Sequence, residues 1–266
     1  MSITQLSSRQ ILEQVDGFLI DLDGVLYIGD QPIEGAADAV SRLKAENFAL
    51  RFVTNTTTKS LETLHKKLVA MQLPIEKNEI ISATQAAVLY LRQLDSPTCF
   101  LLLADDPKKD FAEFPQSDFN PDYIVIGDIG QQWNYELLNR IFNMVIRGAE
   151  MIALHKGKFW QTDDGLQMDI GAFVAGLEYV TGQTATVIGK PSRTFFETAL
   201  LDIGVKPARA AMIGDDIDSD IGGAQAAGMK GILVKTGKYR EELVKKSKVT
   251  PDLVIDSISN FNDTVY

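Results

Sequence analysis

Two aspartates separated by a single residue are the first candidates for chemistry in this sequence. Asp21 and Asp23 follow the apolar run 18–20, and the neighbouring Gly24 allows the backbone to turn there. Two nearby carboxylates repel each other, so one can stay ionised as a nucleophile while the other holds a proton as an acid or base. An ordinary turn at the end of a strand, where Asp and Gly are common, explains this pair equally well when it is considered alone.

A second group of acids lies far along the chain, after another apolar run. Asp215, Asp216 and Asp220 lie close together in the sequence. A hard divalent cation such as Mg²⁺, which takes oxygen ligands, would offset the repulsion among several carboxylates. An EF-hand calcium loop is excluded, because Ile221 stands where that loop needs glycine and Ala227 stands where it needs glutamate. The alternative is a cluster that caps the N-terminus of a helix.

Polar residues that could bind an anion occur at two further places. Thr54 and Asn55 follow the apolar segment 50–53 and offer hydroxyl, amide and backbone donors that suit a phosphate. Lys190, in a Gly-Lys-Pro turn after the segment 186–188, could balance the charge of the phosphate and of the nucleophile. Each of these turns is common in proteins and does not by itself indicate a binding site. The set is more specific, because all its members follow strands, and ligand sites in open α/β sheets lie beyond the carboxyl ends of strands.

Strands and helices are predicted to alternate in the first and last thirds of the chain, which favours a parallel sheet with helices on both faces. Short apolar runs that end in polar residues predict the strands, and apolar residues at helical spacing predict the helices. The strands are predicted at 18–21, 50–53, 186–188, 210–213, 231–234 and 252–255, and the helices at 36–46, 61–71, 83–93, 194–201 and 220–227.

The middle of the chain has a different composition, with both tryptophans and a cluster of charged residues. We predict an inserted α+β module over 83–182, around which 1–82 and 183–266 form one discontinuous domain. One continuous sheet without a separate module is the alternative. Within the module, strands are predicted at 100–103, 123–126 and 151–154, and a helix is predicted at 135–147.

Composition and charge narrow the class of protein further. The 266 residues are 45% hydrophobic and carry a formal charge of −10, so we expect a folded protein without nucleic acid as a partner, because basic surfaces bind nucleic acid. Cys99 is the single cysteine, which excludes an internal disulfide and a metal site built from cysteines. The apolar runs are far shorter than the roughly 20 residues of a membrane span, and the N-terminus does not resemble a secretion signal. We therefore expect a cytoplasmic protein without a membrane partner.

The four polar segments, in this order, resemble the motifs of the haloacid dehalogenase superfamily of phosphohydrolases. Within that superfamily the chain is similar to the NagD-like subfamily IIA, and several short segments resemble the branch that contains phospholysine phosphohistidine inorganic pyrophosphate phosphatase. The superfamily motifs correspond here to residues 21–25, 52–55, Lys190 and 214–220, and the segments typical of the branch are 189–192, 195–196, 212–216 and 234–238.

This resemblance implies an α/β fold, with a Rossmann-like parallel-sheet core and an inserted α/β cap of the C2 type. It implies a Mg²⁺-dependent phosphatase that acts on small phosphate esters, and pairing of two copies through the cap would be typical of the subfamily. A phosphotransferase of the same superfamily and a non-catalytic protein that binds a phosphorylated ligand are the alternatives.

The resemblance also implies a role for each motif residue. Asp21 would attack phosphorus and become an aspartyl phosphate, and Asp23 would protonate the leaving oxygen and then activate water. The implied phosphate-binding residues are Thr54, Asn55 and Lys190, the implied Mg²⁺ ligands are Asp21, the Asp23 carbonyl and Asp215, and the implied supporting residues are Gly24, Asp216 and Asp220.

Overall fold

The computed structural model describes residues 7–162 and 165–262. The chain forms two compact units, each assembled from segments that are distant in the sequence. The first unit contains the chain up to Thr54, Leu64–Ile81 and the chain from Lys190 onward, and the second unit contains Asn55–Thr63 and Ser82–Gly189.

Short strands and helices alternate along most of the described chain, as the apolar patterns predict. The strands are β1 (Gly17–Asp21), β2 (Tyr27–Ile28), β3 (Gln31–Pro32), β4 (Ala49–Thr54), β5 (Ile80–Ser82), β6 (Cys99–Leu102), β7 (Tyr123–Ile126), β8 (Glu150–Ala153), β9 (Phe159–Thr162), β10 (Gly165–Met168), β11 (Thr186–Val187), β12 (Ala210–Gly214), β13 (Lys230–Val234) and β14 (Leu253–Ile255). The α-helices are α1 (Ser8–Leu12), α2 (Ala36–Ala45), α3 (Leu61–Ala70), α4 (Ala83–Leu91), α5 (Tyr135–Ile146), α6 (Gly171–Thr181), α7 (Arg193–Ile203), α8 (Gly223–Ala226) and α9 (Glu241–Lys246).

A six-stranded sheet in the order β14-β13-β12-β1-β4-β5 forms the centre of the first unit. β1 lies between β12 and β4 and runs parallel to both. Phe18, Leu19 and Ile20 on β1 are fully buried, as expected for a parallel strand that is covered on both faces. Because β12, β1 and β4 are adjacent and parallel, the polar segments that follow them start at the same edge of the sheet.

The helices of the first unit bury the faces that their spacing predicts. Each fully buried Val, Leu or Phe contributes about 1.5–3 kcal/mol relative to an exposed position, so these faces hold the helices in the unit. The buried residues of α2 are Ala36, Ala39, Val40 and Leu43, and those of α7 are Phe195, Phe196, Ala199 and Leu200.

The second unit has its own sheet, with four parallel strands in the order β11-β8-β7-β6. Its apolar core includes Ile124, Met151 and Val174, contributed by β7, β8 and α6. β11 falls in the range 183–266 predicted for the discontinuous domain, but it pairs with β8. That placement was wrong, because an apolar run predicts a strand without indicating which partner it will find. The interpretation of 83–182 as a cap stays a prediction.

The helix predicted at 220–227 begins earlier than its apolar spacing indicates. A π-helical segment covers Ile217–Gly222 and precedes α8. The Asp216 carboxylate accepts hydrogen bonds from the backbone N–H groups of Asp218 and Ser219, so the helical turn starts at this cap.

A few short elements were not predicted from the sequence at all. The antiparallel pair β2–β3, helix α9 and the pair β9–β10 are each short, and their sequences have little apolar periodicity. In the described parts of the chain, every helix is too short or too polar to span a membrane.

Candidate active site

Asp21 and Asp23 differ in exposure, although only one residue separates them. Asp21 ends β1 and is buried, whereas Asp23 lies in the following turn and is exposed. Gly24, at φ +90°, donates its backbone N–H to the Tyr27 carbonyl and closes this turn. A residue with a side chain would be strained at this φ, which explains the glycine. The two carboxylates therefore have the contrasting environments that separate roles require.

A buried lysine forms ion pairs with two of the predicted acids, one of which precedes it by 169 residues in the sequence. The Lys190 ammonium Nζ lies 2.6 Å from Oδ1 of Asp21 and 2.7 Å from Oδ1 of Asp220. All three side chains are nearly inaccessible to solvent. Burial opposes the charge of Lys190, but the two carboxylates outweigh it and raise the pKa of the lysine, which keeps the ammonium protonated.

The Asp215 carboxyl has one satisfied oxygen and one unsatisfied oxygen. Its Oδ2 accepts a hydrogen bond from the Lys238 backbone N–H at 2.6 Å, whereas its Oδ1 is buried and has no hydrogen-bond partner among the described residues. Burial, together with the charges of Asp21 and Asp220, raises the pKa of Asp215 to about 8. A buried carboxylate oxygen without a donor is costly unless a cation or water binds it.

The positions of these acids fit a divalent cation that prefers oxygen ligands. One carboxylate oxygen from each of Asp21, Asp215 and Asp220 lies within 4.8 Å of the other two. The Asp220 carboxyl is already occupied, because Oδ1 pairs with Lys190 and Oδ2 accepts the Asp216 backbone N–H at 3.1 Å. Burial is the largest cause that raises the pKa of Asp220 to about 6. Asp21 and Asp215 are therefore the better candidates for direct metal ligands, with Asp220 and Asp216 as supports.

Thr54 and Asn55 belong to different units, although they are neighbours in the chain. Thr54 is the buried last residue of β4 and is one residue beyond the position paired with Asp21. Asn55 belongs to the second unit, where its side-chain oxygen would lie 2.6 Å from any Cβ at position 189. Gly189, the residue before Lys190, thus allows close packing against Asn55. Both Thr54 and Asn55 have polar interactions within the protein.

The segment 236–238 contacts the site, but the sequence analysis assigned no site role to it. Thr236 donates its hydroxyl to the Gly24 carbonyl. A Cβ on Gly237 would come within 2.4 Å of Gly24 Cα and 2.1 Å of Asp215 Oδ2, so only glycine fits there. The segment follows β13, next to β12 in the sheet, so the rule that ligand sites lie at strand ends could have indicated it.

Comparison with known proteins agrees with this arrangement. Residues 18–115 match the family model described as haloacid dehalogenase-like hydrolase, and residues 187–261 match a model described as HAD-hydrolase-like. Both matched ranges include residues of the site, since the first contains Asp21 and Thr54 and the second contains Lys190 and Asp215.

Similar proteins span nearly the whole chain. Haloacid dehalogenase-like hydrolase domain-containing protein 2 of Bos taurus is 40% identical, covering 98% of both chains. Phospholysine phosphohistidine inorganic pyrophosphate phosphatase of Danio rerio is 36% identical, covering 97% of both. The structure of p-nitrophenyl phosphatase from Archaeoglobus fulgidus superposes with a TM-score of 0.89 at 27% identity, covering 95% of this chain and 100% of that one. This chain therefore belongs to the haloacid dehalogenase-like hydrolase family.

Proposed function

We propose that the chain is a Mg²⁺-dependent phosphatase that hydrolyses small phosphorylated molecules through an aspartyl-phosphate intermediate. Membership of the family makes it an enzyme of the phosphatase type, and relatives from Danio rerio and Archaeoglobus fulgidus are named phosphatases. The observation that carries the proposed mechanism is the buried Asp21 carboxylate, which pairs with Lys190 and lies close to the Asp215 oxygen that has no hydrogen-bond partner among the described residues.

Asp21 acts as the nucleophile in the first half of the reaction. Its carboxylate oxygen forms a bond to phosphorus, while the bond from phosphorus to the leaving oxygen breaks. Lys190 holds that carboxylate in one orientation before the attack. Asp23, in its protonated form, gives a proton to the leaving oxygen, so the product departs as a neutral alcohol.

Asp23 acts in the opposite direction in the second half. It is now a carboxylate, and it takes a proton from a water molecule as the water oxygen attacks phosphorus. The bond between phosphorus and Asp21 breaks, inorganic phosphate leaves, and both aspartates return to their starting states. Two moderate barriers replace one high barrier, which is the advantage of a covalent intermediate.

The remaining motif residues bind the phosphoryl group or the metal in this proposal. A bound Mg²⁺ supplies Lewis-acid stabilisation of the charge on the phosphoryl oxygens. Fixed donors around the same oxygens stabilise the transition state further. The proposed phosphate ligands are Thr54, Asn55 and Lys190, the proposed metal ligands are Asp21, the Asp23 carbonyl and Asp215, and the proposed supports are Gly24, Asp216 and Asp220.

Release of phosphate from p-nitrophenyl phosphate, measured with and without Mg²⁺, tests the proposal. We expect metal-dependent turnover by the wild type and its loss in Asp21→Asn. In Asp23→Asn we expect a decrease of about 10²–10⁴-fold, which is typical for the loss of a general acid. Asp256→Asn is the control, because Asp256 is exposed and pairs with Lys235. Metal-dependent turnover that survives Asp21→Asn would contradict the nucleophile assignment.

One further measurement distinguishes a phosphatase from a phosphotransferase. Transfer of the phosphoryl group to an added alcohol at the expense of free phosphate would indicate a phosphotransferase instead.

Association into homodimers through residues 83–182 is also proposed, and light scattering after size-exclusion chromatography should give twice the chain mass. A cytoplasmic location stays a prediction, to be checked by fractionation of the source cells.

A further inference from the structure

Lys238 is a lysine at the site that lies outside the four superfamily motifs, at the end of the segment 234–238. Its backbone N–H donates to Asp215 Oδ2, so its position is tied to one of the proposed metal ligands. The backbone before it is packed tightly, since Gly237 has no room for a Cβ against Gly24 and Asp215. Lys238 is therefore held at the edge of the acid cluster by its own main chain.

The side chain of Lys238 differs from those of Lys190 and Lys235 in its exposure and its partners. Lys190 is buried and bound by two carboxylates, and Lys235 pairs with Asp256 at 2.7 Å. Lys238 is exposed, and among the described residues no carboxylate oxygen lies within 4 Å of its ammonium. Its charge is therefore available to a ligand.

The charge of the site explains why a second cation would be useful there. When all three are ionised, the carboxylates of Asp21, Asp215 and Asp220 carry three negative charges against the one positive charge of the Lys190 ammonium, which leaves two negative charges. A divalent cation would cancel these two charges, and a phosphate dianion would add two more. The ammonium of Lys238 adds a positive charge at the edge of this site, because the backbone N–H of the same residue is bound to Asp215.

We propose that the Lys238 ammonium is a second substrate-binding cation of the site, and that it binds an anionic oxygen of the phosphorylated substrate. This inference rests on the proposed phosphatase function, and it assigns a substrate contact beyond the motif residues. Lys190 is buried between two carboxylates, whereas Lys238 is exposed and can bind the substrate from the solvent side. A hydrogen bond between two charged groups typically changes affinity by about ten- to a hundredfold.

The proposal predicts effects of opposite sign on the metal and on phosphate. Removal of a positive charge beside the acids should strengthen binding of Mg²⁺ alone, whereas it should weaken binding of inorganic phosphate. A merely structural role, through damage to Asp215, would weaken both. Isothermal titration of the full-length protein, first with Mg²⁺ and then with phosphate in saturating Mg²⁺, measures the two effects separately.

The variants are Lys238→Met, Lys238→Arg and, as a matched control in the same segment, Lys235→Met. We expect phosphate to bind about tenfold or more weakly to Lys238→Met, with Mg²⁺ bound at least as tightly as in the wild type. Lys238→Arg should recover most of the phosphate affinity, and Lys235→Met should stay within twofold of the wild type. Phosphate affinity within twofold of the wild type in Lys238→Met, or weaker binding of both ligands, would overturn the proposal.

Turnover measurements then identify the oxygen that Lys238 binds. An equal loss of kcat/KM in Lys238→Met for p-nitrophenyl phosphate and for pyrophosphate supports contact with the transferred phosphoryl group. A larger loss for pyrophosphate supports contact with a second anionic group. If the wild type hydrolyses neither compound nor any other phosphoester, the proposed function fails, whereas the phosphate titration still decides the role of Lys238.

Discussion

Replacement of Lys190 by methionine tests the electrostatic balance of the site through stability alone. Methionine has a similar length and retains the apolar stem, but it removes the charge that lies between Asp21 and Asp220. Removal of one partner from a buried ion pair typically costs about 3–5 kcal/mol, because the other charge is left uncompensated. We expect a loss of this size in the free energy of unfolding at pH 7.5 without metal.

Protonation of a carboxyl sets an upper limit to that loss and makes it depend on pH. If Asp220 takes up a proton instead of staying charged, the cost is about 1.4 kcal/mol for each pH unit above its usual pKa of 3.8. The limit is therefore about 5 kcal/mol at pH 7.5 and about 2 kcal/mol at pH 5.5. Because the pKa of Asp220 is raised in the folded state, its contribution to stability is present at low pH and is lost as the pH rises. The free energy of unfolding of Lys190→Met should therefore fall further below that of the wild type as the pH rises.

Urea unfolding followed by circular dichroism measures the loss, since both tryptophans lie in the second unit and report poorly on Lys190. Lys245→Met is the control: Lys245 pairs with Glu241 on the surface, so its loss should cost less than about 1 kcal/mol. Added Mg²⁺ should reduce the loss in Lys190→Met, because a cation among the acids replaces part of the missing charge. A loss below about 1 kcal/mol at pH 7.5, or one that does not shrink at pH 5.5, would refute this reasoning.

Three further predictions concern other parts of the molecule. Gly237→Ala should lower Mg²⁺ affinity at least tenfold in isothermal titration, because the new Cβ would displace the Asp215 carboxylate, and unchanged affinity would contradict the close approach. Trp133 stacks on Phe173 with ring centroids 4.2 Å apart, but its buried indole N–H has no hydrogen-bond partner among the described residues. Trp133→Phe should therefore cost under about 1 kcal/mol in chemical unfolding and Trp133→Ala about 3 kcal/mol, and equal costs would contradict this. Cys99 is buried and burial raises the pKa of its thiol to about 11, so it should react with Ellman's reagent at pH 7.5 only after denaturation, and rapid reaction of the native protein would refute this.

The sequence predicted the central sheet, except for its edge strand β5, and the polar segments at its edge, because both depend on local patterns. β1, β4 and β12 are short apolar runs followed by polar residues, and all three lie side by side in the sheet. The approach of Lys190 to Asp21 agrees with the expectation that these segments converge. The catalytic and binding roles of the motif residues stay predictions, to be decided by the variants described above.

The features that the sequence did not predict depend on interactions between distant residues and on hydrogen bonds of the main chain. β11 was given to the wrong sheet, because a run of two or three apolar residues carries no information about its partner strand. Segment 236–238 was missed as part of the site, since the hydrogen bond from Lys238 to Asp215 uses a backbone N–H, which every residue except proline has. The early start of the helix after Asp216 likewise depends on how one carboxylate folds back on the main chain.

The central position of β1 has a consequence for the synthesis of the chain. One neighbour, β4, is made soon after β1, but the other neighbour, β12, is about 190 residues away in the sequence. At 5–20 residues per second, a ribosome needs about 10–40 s to reach β12. During that time one edge of an apolar strand lacks its native partner and is open to pairing with other nascent chains. Assistance from chaperones should therefore matter most for this interval, and a fragment that ends before residue 210 should aggregate.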